Sequence, residues 1–138
     1  MGARFIQIAV FYFLFGVIAG MVLGSTQQFQ FATFHAHVNL LGWVSLALSG
    51  LVYNAFPKAA QTGLAKAHFW LHNIGLPVFV IGLFLSIAQV PGAEPFIIAG
   101  GSVTVIGVLC FALNVWANVR ASSSAAAASQ AVKNQSAF

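Results

Sequence analysis

The chain has almost no charge. Of its 138 residues, five are Lys or Arg and one is Asp or Glu, whereas 60% are hydrophobic. About a quarter of the residues in soluble domains are charged, and disordered chains are poor in apolar residues, so both classes are excluded. The five cations are also spread along the chain rather than clustered in one basic patch, and we expect no nucleic acid partner.

Acidic residues and cysteine are nearly absent. The only carboxylate side chain is that of Glu94, which excludes a catalytic pair of carboxylates and a proton path lined with acids. The only cysteine is Cys110, which cannot form a disulfide within the chain. It is interpreted as a small buried apolar residue.

Long hydrophobic runs dominate what is present. Each run is close to the length of about 20 residues that a membrane-spanning helix requires. Short connections rich in Gly, Pro and polar residues separate them. The sequence therefore predicts an all-α fold, a four-transmembrane-helix bundle in residues 1–120, followed by an Ala/Ser-rich cytoplasmic tail in residues 121–138. The predicted helices cover about residues 4–24, 33–56, 67–89 and 95–119.

The cations predict the orientation of the bundle. Arg4 precedes the first predicted helix, Lys58 and Lys66 lie between the second and third, and Arg120 and Lys133 follow the fourth. With four spans, these three regions share one side of the membrane, which the positive-inside rule makes cytoplasmic. We therefore expect a multi-pass protein of a bacterial inner membrane, surrounded by lipid, with both termini in the cytoplasm.

Glycine recurs every four residues on the first helix, at Gly16, Gly20 and Gly24. Small residues at this spacing let another helix approach closely. The pattern leaves two alternatives open, packing inside one bundle or a contact between two chains.

The sequence His35-Ala36-His37 lies near the start of an uncharged run, Thr33 to Phe56. Ionisable residues within a membrane are costly and commonly functional. Residues two apart in a helix point about 200° away from each other, so the two imidazoles face different neighbours. They serve two sites, pair with groups on different helices, or are simply hydrogen-bonded interfacial residues.

The orientation places His35 and His37 near the outer interface. His68 and His72 begin the third helix from the opposite side, so the two pairs are not expected to share a site. We interpret His68 and His72 as interfacial residues.

Neutral imidazole is a common ligand of haem iron, copper and zinc. Zinc needs a tetrahedral set of donors, and the outer half of the predicted bundle offers few besides the two histidines and Glu94. Haem needs only one or two axial imidazoles in an apolar slot. The donor set therefore favours haem over copper or zinc.

Three short runs, residues 34–43, 53–57 and 66–70, resemble in order and spacing the haem-copper oxidase superfamily's catalytic subunit, which is cytochrome c oxidase subunit I-like. The similarity is to its tenth and eleventh helices and extends over residues 34–86. There, a His-x-His pair opens a helix that ends in an aromatic-Pro turn, and His-Phe-Trp opens the next helix.

This resemblance implies that His35 and His37 are axial ligands of two haems, of b type, on the two faces of the helix. Asn39 and Trp43 are further candidates for haem binding. Asn39 is a possible hydrogen-bond partner of a histidine, and Trp43 is either a wall of the site or a lipid-facing residue.

The chain also departs from the family. The oxidase subunit has twelve helices in three arcs of four, and this chain has the length of one arc, so we expect a homotrimer. His35 of one protomer and His37 of the next would then bind one iron, with three equivalent sites. No adjacent His-His pair matches the catalytic copper ligands. Whether the chain is an enzyme therefore stays open.

The sequence predicts an integral-membrane haem protein. It would carry electrons to a respiratory-chain redox partner if both axial positions are histidine, or bind oxygen or nitric oxide if one is free. Two alternatives are kept. One is a copper-handling or assembly protein for an oxidase, and the other is an accessory subunit without a cofactor.

Overall fold

The computed structural model describes residues 1–119, and the predicted tail 121–138 lies outside the described residues. The described part is all helical and contains no strand. Four of its helices are long and apolar enough to cross a membrane, which confirms the all-α, four-helix prediction. They are α1 (Gly2–Ser25), α2 (Phe29–Ala55), α3 (Gly63–Ile87) and α4 (Glu94–Asn118).

Each observed helix overlaps its predicted range, with differences at the starts of α2 and α3. Helix α2 starts with a 3₁₀ turn, Phe29–Phe31, and therefore begins earlier than predicted. The start of α3 is also earlier, because the Thr62 side chain accepts a hydrogen bond from the Ala65 amide at 3.1 Å and caps the helix. A short helix, Pro57–Ala60, connects α2 to α3.

Helix α2 is not regular. It is α-helical over Ala32–His37, π-helical over Val38–Val44 and α-helical again over Ser45–Ala55. The Ser45 hydroxyl donates a hydrogen bond to the Leu40 carbonyl at 2.7 Å, which adds a side-chain bond to the π-helical segment. Such wide turns are rare and occur frequently at functional sites.

The helices pack in two antiparallel pairs, α1 with α2 and α3 with α4. Phe34 and Val38 of α2 pack against Leu76 and Val80 of α3 and join the pairs in one half of the bundle. A second core joins α1, α2 and α3 at the end that carries Arg4, Lys58 and Lys66, which we call the basic end; its buried residues include Phe5, Leu46 and Tyr53.

The glycines of α1 make contacts inside the chain. Gly16 lies against the Asn39 side chain, and a Cβ atom on Gly20 would lie 2.7 Å from Cε1 of His35. A Cβ on Gly24 would meet nothing within 4 Å. Of the two alternatives, Gly16 and Gly20 thus support packing inside one bundle.

Candidate functional site

The imidazole of His37 is held by its own helix. Its Nδ1 lies 2.8 Å from the Thr33 carbonyl oxygen, which can only accept, so Nδ1 carries the proton and donates it. The ring also makes an edge contact with Phe79 of α3, with ring centroids 5.2 Å apart. Nε2 makes no hydrogen bond to any described residue, and its lone pair is available to a ligand.

His37 lines a cleft of about 460 Å³ between α2, α3 and α4, which we call the His37 cleft. Its one hydroxyl, that of Thr104, donates to the Gly100 carbonyl at 2.8 Å, so the walls present almost no free polar group. The volume lies within the range of roughly 300–1,000 Å³ that is usual for small-molecule and cofactor sites. The lining residues are His37, Leu41, Phe79, Gly101, Thr104, Val105, Val108 and Leu109.

His35 lies on the other side of α2, against Gly20 of α1. The expectation that the two histidines face different neighbours is therefore confirmed. The Asn39 side-chain nitrogen donates to the His35 carbonyl at 2.8 Å and lies 3.4 Å from each ring nitrogen. The adjoining cavity measures about 170 Å³, which is below the usual range for a cofactor.

The other two candidate residues lie along the contact between α1 and α2. Asn39 reaches α1 at Gly16. Trp43 is half-buried, and its ring packs against Phe13 of α1 with centroids 4.7 Å apart. Neither residue lines the His37 cleft.

The interpretation of His68 and His72 as interfacial was wrong. Both side chains are only 1% exposed and lie in the interior of the bundle. His68 Nδ1 is 3.1 Å from the Tyr53 hydroxyl, His68 Nε2 is 3.3 Å from His72 Nδ1, and His72 Nε2 is 3.0 Å from the Leu41 carbonyl. The spacing of four residues places both histidines on one face of a helix, and this signal could have indicated a shared buried network.

A purely protein-built metal site is not formed within the described part of the chain. No three His, Cys, Asp or Glu side chains among residues 1–119 lie close enough to hold a metal ion together. Haem supplies the equatorial nitrogens of its own iron and needs only axial ligands from the protein. One free imidazole nitrogen in an apolar cleft therefore fits haem.

Comparison with curated proteins gives two relatives of the same kind. The chain is 27% identical to the Cbb3-type cytochrome c oxidase subunit CcoN1 of Stutzerimonas stutzeri, in an alignment that covers 63% of this chain and 25% of the relative. It is 28% identical to a bacteroid cytochrome c oxidase subunit 1 homolog of Bradyrhizobium diazoefficiens, in an alignment that covers 62% of this chain and 21% of the relative.

The chain spans about a quarter or less of these relatives. No family model matches it, and no solved structure matches it. Together with the four apolar helices, the two relatives identify a multi-pass membrane protein that is similar to respiratory haem-copper oxidases.

Proposed function

We propose that this protein binds a b-type haem through His37 in the His37 cleft. The observation that carries the proposal is the bond from Nδ1 of His37 to the Thr33 carbonyl. This bond fixes the tautomer and orients the ring, as second-shell partners of metal-bound histidines do. It leaves Nε2 as the axial donor beside an apolar cleft of cofactor size.

His35 is the proposed second ligand. Because it lies on the opposite face of α2, it would serve an iron held by the His37 of a neighbouring copy in a homotrimer. With two axial histidines the haem would transfer electrons to and from a respiratory-chain partner. With one position open it would bind a diatomic gas such as oxygen or nitric oxide.

The relatives support haem as a cofactor, because both are cytochrome c oxidase subunits by name. The similarity covers a small part of those proteins, so oxygen reduction is not part of this proposal. The cation distribution supports placement in a bacterial inner membrane with both termini in the cytoplasm.

A visible spectrum tests the proposal. The protein purified from haem-replete cells is expected to show a Soret band and, when reduced, the sharp visible bands of a histidine-ligated haem. A colourless protein, or one that contains copper without haem, would overturn the proposal and favour the accessory or copper-handling alternatives.

His37→Gly tests the ligand. The variant is expected to lose the haem spectrum and to regain it when imidazole is added, because free imidazole can occupy the vacated space. Ala36→Gly is the matched control, since it introduces the same residue at the exposed neighbouring position. A normal spectrum in His37→Gly without imidazole would exclude His37 as the ligand.

A further inference from the structure

Tyr53, His68 and His72 form a hydrogen-bonded chain that the haem proposal does not use. The three side chains are at most 2% exposed. Burying a polar group without a partner is costly, and no buried side-chain nitrogen or oxygen in the described residues lacks one. A buried network of this kind needs an explanation beyond packing.

The Leu41 carbonyl, at one end of this network, sets the direction of every hydrogen bond in it. The Leu41 carbonyl can only accept, so His72 carries its proton on Nε2 and accepts at Nδ1. His68 must then donate from Nε2 and accept at Nδ1, and the Tyr53 hydroxyl donates to that nitrogen. Since a backbone carbonyl cannot pass a proton on, this hydrogen-bond network supports the structure around Leu41 and does not relay protons.

The hydrogen-bond network ends at Leu41, beside the His37 cleft. Leu41 belongs to the π-helical segment and lines the cleft, four residues after His37. The backbone of His72 also lies close to α4, because a Cβ atom on Gly107 of α4 would lie 3.0 Å from the His72 amide nitrogen. His72 therefore connects α2, α3 and α4 directly beside the candidate site.

We infer that Tyr53, His68 and His72 are positioning residues that hold Leu41 and the π-helical segment, and through them the direction of the His37 imidazole. The effect on haem rests on the proposed function. The predicted histidine tautomers and the rigidity of the π-helical segment do not depend on haem binding. The inference and the proposed function can therefore fail separately.

Nitrogen-15 NMR of the haem-free protein with labelled histidine tests the direction of the hydrogen bonds in the network. His68 and His72 are expected to carry the proton on Nε2, and His37 on Nδ1. Single His→Gln variants assign the signals. A proton on Nδ1 of His68 or His72 would overturn the inference, whether or not the protein binds haem.

His72→Leu and His72→Gln test the support itself. Leu removes the donor to the Leu41 carbonyl, whereas the Gln amide can still reach it. In His72→Leu, amide hydrogen exchange in Val38–Val44 is expected to be about tenfold faster, the effect of losing one buried hydrogen bond. The haem spectrum and electron paramagnetic resonance signal are expected to shift, and His72→Gln should restore both.

Tyr53→Phe keeps the size of the side chain and breaks only the first bond, so it provides the test if His72→Leu fails to fold. It is expected to accelerate exchange in the same segment to a smaller extent. Wild-type exchange rates in both His72→Leu and Tyr53→Phe would overturn the inference. Altered exchange in a protein that never binds haem would support the inference and reject the proposed function.

A separate feature lies at the basic end. There the first turns of α1 and α3 border a cleft of about 460 Å³, which is lined by Met1, Arg4, Lys66, Phe69 and Trp70. Both cations are exposed, and the Trp70 side chain is 63% exposed. The only acidic residue of the whole chain, Glu94, begins α4 at the opposite end, so neither cation has an acidic side chain nearby.

We propose that this basic cleft binds the headgroup of an anionic phospholipid. Basic pockets between membrane helices suit such headgroups, and exposed aromatic residues favour the boundary between lipid and water. The lipid phosphate would lie between Arg4 and Lys66, with the beginning of its acyl chains beside Phe69 and Trp70.

Native mass spectrometry in detergent with added phosphatidylglycerol or phosphatidylcholine tests the cleft. Phosphatidylglycerol is expected to bind preferentially, and Arg4→Gln and Lys66→Gln should each weaken it about fivefold. Lys58→Gln is the matched control, because Lys58 is exposed at the same end but does not line the cleft. An equal loss in Lys58→Gln, or displacement of the lipid by millimolar inorganic phosphate, would overturn the proposal.

Discussion

At the scale of residues, His35 and His37 show that spacing alone does not define a site. Their opposite directions follow from helix geometry, but their surroundings differ. His37 borders a cleft of about 460 Å³, and His35 borders a cavity of about 170 Å³. Only contacts with α1, α3 and α4 create this difference, and it makes His37 the better supported of the two proposed haem ligands.

Close packing of α3 on α4 depends on Gly75. A Cβ atom at this position would lie 2.7 Å from the Thr104 amide nitrogen and 2.9 Å from the Gly100 carbonyl oxygen, and backbone atoms cannot move aside. Gly75→Ala is therefore expected to force α4 away and to cost about 1–3 kcal/mol of stability. Thermal unfolding in detergent measures the change.

Gly24→Ala is the control for this prediction. A Cβ atom at Gly24 would meet nothing within 4 Å, and the change should stay within about 0.5 kcal/mol. Equal melting temperatures for Gly75→Ala and the wild type would contradict the packing that the structure shows.

At the scale of elements, the π-helical segment Val38–Val44 is the unusual part of the bundle. A π-helical turn contains more residues than an α-helical one, so it changes the rotation of the residues before it relative to those after it. It lies between His37 and Ser45–Ala55, and Leu41 within it faces the cleft. The segment thereby sets the angle between the histidines and the rest of α2.

At the scale of the whole molecule, the His37 cleft opens to the outside of one chain. Val105 and Leu109, which line it, are 58% and 55% exposed. A neighbouring chain could cover this wall and bring its own His35 to the same iron. We predict a threefold-symmetric trimer with one haem at each interface and loss of haem on dissociation.

Native mass spectrometry with haem quantification measures this assembly. Masses of three chains and three haems are expected at low activation energy, followed by haem release together with subunit release. A haem-loaded monomer or dimer as the main species would reject the trimer and leave the assignment of His37 intact.

The orientation in the membrane is a separate prediction at this scale. In a Cys110→Ala background, a cysteine at Gln28 should react with a membrane-impermeant thiol reagent in intact spheroplasts. A cysteine at Gln61 should react only after lysis, because the cations place that loop in the cytoplasm. The reverse pattern would show that the cation distribution does not set the orientation.

The sequence by itself determined the four helices, the all-α class and the opposite directions of His35 and His37. These properties depend on apolar length and helical periodicity, which are local. The resemblance of residues 34–86 to an oxidase subunit also lay in the sequence, and the comparisons support it in its general form.

Only the tertiary structure decided the π-helical segment of α2, the burial of His68 and His72, and the unequal cavities beside the two proposed ligands. His68 and His72 are adjacent to the basic end in sequence, yet Tyr53 and Leu41 of another helix satisfy their nitrogens in the interior. The physical reason is that burial and hydrogen-bond partners come from residues distant in sequence, which local pattern does not encode.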